Sequence, residues 1–151
     1  MARKNTIGPK IVADGEAEFR QAIKNIENTI KTLNSEMKVV TSQFDKNDNS
    51  VAALTAKNNV LNKLIEEQKN KLSELHKGLE SATKAYGEND EKTQEWRRAV
   101  NEATAKLNNL ERQVKENNAA IDAAQKQTGE QSEELKKYGK NAEEAGDKTE
   151  K

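Results

Sequence analysis

The sequence predicts an all-α protein, an elongated coiled coil with a slender core, and three observations lead there. Composition is the first. Of 151 residues only 32% are hydrophobic and 3% aromatic, while 34% are charged. Ala, Glu, Lys, Leu and Arg together supply about half the chain, the profile of long helices. That is too little apolar material for a thick core and enough for a helical seam.

A single heptad phase is the second. Alternating steps of four and three residues from Phe19 meet Ile23, Ile26, Ile30, Leu33, Met37, Val40 and Phe44. The same phase continues through Asn47, Val51, Leu54, Asn58, Leu61, Ile65, Gln68, Leu72, Leu75, Leu79, Ala82 and Tyr86, then Asn89, Thr93, Trp96, Val100, Ala103, Leu107, Leu110, Val114, Asn117, Ile121 and Ala124, the polar Asn47 and Asn89 falling at the two turn-like stretches. A weaker run follows at Leu135, Tyr138, Ala142 and Ala145. Apolar residues on successive turns of one face are the sequence form of a coiled coil. The third observation is a polar outer face. Off the seam, large aliphatics after residue 15 are rare, Val39, Val60 and Leu64 being the main ones. Glu-to-Lys pairs at i,i+4, such as Glu27–Lys31, Glu67–Lys71 and Glu80–Lys84, add only about 0.2–0.5 kcal/mol each. Burial along the seam, at about 1.5–3 kcal/mol per large side chain, must dominate.

Taken in order, residues 1–13 read as an extended N-terminal arm and residues 14–44 as a first helix. Asp14 is its expected N-cap, with Glu16 and Glu18 near the positive helix end. Residues 45–50, DKNDNS, read as a turn in which Asp48 or Ser50 caps the next helix. Residues 51–127 form a long antiparallel helical hairpin in the isolated chain, with its turn near 87–89. There Gly87 suits a helix C-terminus, and Asn89 or Asp90 suits the following N-cap. Residues 128–151 read as a weakly helical or disordered tail.

Two hairpin registers one heptad apart are open. One sets Leu79 opposite Trp96, Gln68 opposite Leu107 and Asn58 opposite Asn117; the other leaves Asn58 against Ala124. The first is preferred because a buried amide needs a hydrogen-bonding partner. The alternative to a hairpin is a continuous rod in a parallel oligomer. In its favour, one seam row is rich in Ile and Val and the other in Leu, with Asn58 placed to fix register, as in parallel two-stranded coils.

The 26 basic and 26 acidic residues are interleaved, which removes the electrostatic reason to expect nucleic acid or an anionic membrane as partner. Without cysteine there is no disulfide and no thiolate metal site. No apolar run approaches the roughly 20 residues of a membrane span, and MARKNTIGPK lacks a signal-peptide core. A soluble chain in the cytoplasm where it is made is the expectation.

The candidate sites are few. Asn58 and Asn117 are expected to select coiled-coil register. Trp96 and Arg97, with Arg98, form the one aromatic–basic cluster and a candidate partner contact; the competing reading puts Trp96 in the seam against Leu79. Gly78 in mid-helix costs about 1 kcal/mol relative to Ala and is explained if another helix approaches closely. Gln68 reads as a local weakness of the seam. His76, the only histidine, reads as a surface residue, since no cluster of Cys, Asp or Glu accompanies it as a metal site would need. Neither catalysis nor a cofactor is expected.

Three segments, IGPKIVADGEAEFRQAIKNI, LNSEMKVVTSQFDKNDNSVAALTAKNNVLNK and YGENDEKTQEW, resemble the N-terminal region of phage tail tape measure proteins, in particular those of long-tailed phages and prophages of Gram-positive bacteria. The resemblance covers roughly residues 7–147, including KYGKNAEEAGDKT, and SEMKVVTSQFDKNDNSVAALTAKN is its most specific part. It implies a largely helical, self-associating component of the virion tail, assembled in the host cytoplasm. Such a protein acts as the ruler around which tail tube subunits polymerise, and tail assembly chaperones coat it beforehand. Family members are far longer, so this chain is expected to be an N-terminal fragment or a prophage remnant. The rival expectation is a cytoplasmic coiled-coil adaptor or signalling hairpin.

Overall fold

The computed structural model of the chain describes the backbone of residues 13–150 and the side chains of residues 13–127. Those residues form three helices and no strand: α1, Glu16–Ser42; α2, Val51–Tyr86; α3, Glu91–Glu150. The protein is all-α. Of the expected N-terminal arm only Ala13 falls within the described residues. The backbone is helical through the segment read as a weak tail, whose side chains lie outside them.

The first helix departs from the expected start. Asp14 does not cap it; Gly15 does, in the left-handed conformation (φ 76°) and without a side-chain cap bond. The cause is local packing. The ring of Phe19 folds back over Gly15 so closely that a Cβ there would lie 2.8 Å from the ring, and the Asp14 carbonyl accepts from the Ser81 hydroxyl. Beside it, the Ala13 N–H donates to the Tyr86 hydroxyl at 3.1 Å. The N-terminus of α1 is thereby tied to the C-terminus of α2.

Of the two cap candidates in DKNDNS, Ser50 takes the N-cap position, its side chain accepting from the Ala53 N–H at 3.2 Å. Asp48 has the supporting role: its carboxylate accepts from the Ser50 N–H at 2.8 Å. Hydrogen bonds from Ser50, and more weakly the charge of Lys57, hold the Asp48 carboxyl below its usual range. At the second turn Gly87 leaves α2 with φ 88°, a value only glycine adopts readily. Asp90 then accepts from the Lys92 N–H at 2.9 Å and starts α3.

α1 packs on α2, and α2 packs on α3. Both pairs are antiparallel, since Ala13 meets Tyr86 while Glu27 meets Lys71, and Thr93 meets Ala82 while Asn117 meets Asn58. α2 is therefore flanked on two sides. One core cluster joins Leu75, Ala82, Trp96, Val100 and Ala103, with Phe19 and Ile23 of α1 against it. The other joins Leu33, Val60, Leu61 and Leu64, with Leu110 and Val114 of α3 against it. Val60 and Leu64, outside the predicted seam, are as deeply buried as Leu61, whereas Ile65 and Leu72 on the seam are half-buried. The helix needs this second stripe because α1 covers it.

The surface ion pairs also differ from expectation. Glu80–Lys84 forms at 3.8 Å, but Lys71 does not form the expected pair with Glu67. It reaches across to Glu27 of α1 at 3.3 Å. Partly exposed, such a pair contributes on the order of 0–1 kcal/mol.

Candidate interaction surface

Side chains of interest fall at three levels along the helices. Near the open end, Asn58 is 7% exposed and meets two amides of α3. The Asn117 Nδ2 donates to the Asn58 Oδ1, and the Asn58 Nδ2 donates to the Asn118 Oδ1, each at 2.9 Å. Asn58 thus satisfies a donor and an acceptor from a single position. The expected partner Asn117 is present; Asn118, which closes the set, lies one residue off the predicted seam. The doublets Asn58-Asn59 and Asn117-Asn118 are the sequence signal that points to it.

Near the α2–α3 turn, Trp96 is 4% exposed and sits against Gly78. An ideal Cβ on Gly78 would overlap ring atoms Cζ3 and Cε3 and lie 2.6 Å from Cη2, which accounts for a glycine in mid-helix. The indole is spent inside the molecule, and only the exposed Arg97 of the candidate pair remains on the surface. No local pattern in the sequence signals the cation over this ring, Arg20 of α1, whose guanidinium carbon lies 4.7 Å from the ring centroid. A contact of this kind contributes on the order of 0.5–1 kcal/mol at exposed sites. Arg98 pairs with Glu91 at 3.0 Å.

Between these levels, α1 and α3 flank α2 without close backbone contact with each other, and a groove runs between them. It widens into two hollows of about 230 and 330 Å³ that share Glu27. Gln68 lines the larger and Trp96 the smaller. The Gln68 Nε2 and the Trp96 Nε1 are shielded from solvent and have no hydrogen-bond partner. Buried donors of this kind are rare and costly.

His76 is exposed. Among the described residues no group of three or more His, Cys, Asp or Glu side chains is placed to hold a metal ion. No helix among them is long and apolar enough to cross a membrane. Compared with known proteins, the chain matches no family model, no curated protein and no solved structure.

Proposed function

We propose that this chain is a structural component of phage tail assembly, part of the N-terminal region of a tail-length tape measure protein, and that it acts by helix pairing rather than catalysis. The observation that carries the reading is the heptad phase, kept from Phe19 to Ala145 across both turns, together with the three family-like segments. Separate helices in a globular bundle have no reason to share one phase. A chain that also functions as an extended coil does.

On this reading α2 and the facing half of α3 form an antiparallel coiled-coil hairpin whose register is set by Asn58 and Asn117. The hairpin is an end module, while length is measured by helix that continues beyond it. A helix rises about 1.5 Å per residue, so each heptad measures about 10 Å. Self-association, contact with tail tube and assembly chaperone proteins, and residence in the virion tail after assembly in the host cytoplasm belong to the same proposal.

In-frame deletion of three heptads from the phage gene tests it by electron microscopy of the tails. Shortening by about 30 Å is the expected result; tails of unchanged length refute a ruler role for the deleted segment.

A cytoplasmic coiled-coil adaptor is the second reading, favoured by one observation: both turns are built with dedicated caps, Ser50 and Asp90. Tail tube and chaperone genes beside this one support the first reading, and a neighbourhood without them supports the second.

A further inference from the structure

The groove between α1 and α3 carries chemistry that the three helices leave unused. Gln68 and Trp96 form part of its floor, with their N–H donors buried beneath the surface and unpartnered. Its rim holds Arg20, Lys31, Lys71 and Lys106 against Glu27 and Glu95, a surplus of positive charge in a protein whose net charge is zero. Ile23, Ile30, Leu64 and Leu110 supply apolar surface between these groups. An occupant that fits is a helix with an apolar stripe and net negative charge.

The chain contains such a helix. Asn58 lies level with Asn117, so α2, which begins at Val51, begins level with about Ala124. α3 runs on to Glu150, about 26 residues or 39 Å past that end. Residues 128–150 carry seven carboxylates against four lysines, and Leu135, Tyr138, Ala142 and Ala145 keep the seam phase. Because this segment continues α3 beyond the start of α2, it runs on past the groove of its own chain. Only another copy brings it there.

We propose that residues 128–150 of a second copy occupy the groove between α1 and α3, each copy filling the groove of the other in a closed two-fold dimer. α1 and α3 run in the same direction, so a helix antiparallel to both completes four helices with antiparallel neighbours, the usual up-down bundle. Two-fold symmetry makes the contact self-complementary and finite. In the matching register Leu135 lies level with Leu110, Tyr138 with Leu107 and Ala142 with Ala103, and the two α3 helices cross near Asp122. The inference is independent of a role in phage tails, and a ruler that used the same helix would require this dimer to open.

The natural absence of cysteine makes the test direct on the full chain. Asn109→Cys, on the groove rim, and Lys136→Cys, one residue along from the seam, are made as two separate single variants. They are mixed under mild oxidation and compared with each variant alone. A mixed disulfide dimer in high yield, with little self-linked product, is the expected result, as is a sedimenting dimer whose dissociation constant rises several-fold between 50 and 500 mM salt. Leu135→Glu with Tyr138→Glu should return the dimer to monomer while leaving the helical signal of α1 and α2 in place. A monomer at every concentration up to the millimolar range overturns the proposal. So does dominant Lys136→Cys self-linking, which would mean that the tails pair with each other, and so do polymers that lengthen with concentration, which would mean head-to-tail insertion.

Discussion

Replacing Gly78 with alanine separates backbone propensity from packing, because the two act with opposite signs. In an open helix the change stabilises by about 1 kcal/mol. At Gly78 the new methyl would overlap Cζ3 and Cε3 of Trp96 and lie 2.6 Å from Cη2. The indole is rigid and only 4% exposed, with Arg20 of α1 over its face, so it cannot swing aside without opening a flank of α2. Overpacking of a tight site costs about 1–3 kcal/mol, and an overlap this deep belongs at the upper end. Set against the propensity gain, the net loss is about 1–2 kcal/mol. For a chain of 151 residues that lowers the melting temperature by roughly 2–8 °C.

Urea titration followed in parallel by helical circular dichroism and by the fluorescence of Trp96, the sole tryptophan, measures the loss and reports the ring itself. Trp96→Leu relieves the overlap, so Gly78→Ala should cost less in that background, with a coupling of at least about 1 kcal/mol. If Gly78→Ala melts at or above the parent, the indole does not lie on Gly78 and the α2–α3 register described above is wrong.

Three further outcomes follow from individual contacts. Asn58→Ala deprives Asn117 and Asn118 of their partner at a site that is partly open, and should destabilise by about 1–2 kcal/mol in urea; an unchanged midpoint would show that water replaces the lost bonds. Gln68→Leu removes an amide donor with no partner and should raise stability at low protein concentration by about 1 kcal/mol, against a loss if that amide were satisfied in the isolated chain. Because the Asp48 carboxyl titrates below its usual range through its bonds to Ser50, its stabilising contribution is complete above the unfolded value and is lost as pH falls below about 4. Asp48→Asn should therefore flatten the acid limb of the stability profile, and a limb that keeps its slope would remove Asp48 as a cause.

What the sequence made legible was whatever depends on one helix at a time or on one partner. Periodicity pointed to α1, α2 and the first part of α3 but not to its continuation to Glu150, where the seam thins; turn chemistry pointed to both breaks, because Gly87, Ser50 and Asp90 act within a few residues of themselves. Asn58 could be matched to Asn117 because a buried amide demands a mate at a calculable distance along an antiparallel pair. The start of α1 was not legible: Asp14 is a better cap by propensity, yet Gly15 takes the position because the Phe19 ring and the end of α2 occupy the space around it. Arg20 over Trp96, and Lys71 reaching to Glu27, depend on α1 returning along α2, a contact that no local pattern specifies.

The off-seam residues bear on whether the same chain also forms a parallel rod. In a two-stranded coil Val60 and Leu64 lie outside the seam and face water; with α1 in place each is 5% exposed. At about 1.5–3 kcal/mol for each large aliphatic side chain buried, covering them favours the folded three-helix form by several kcal/mol, before Gly78 and Trp96 are counted. Opening to a rod must recover that loss from a partner that covers the seam of all three helices at once. The shared heptad phase makes such cover available to an assembly, so on the proposed reading extension would follow binding rather than precede it.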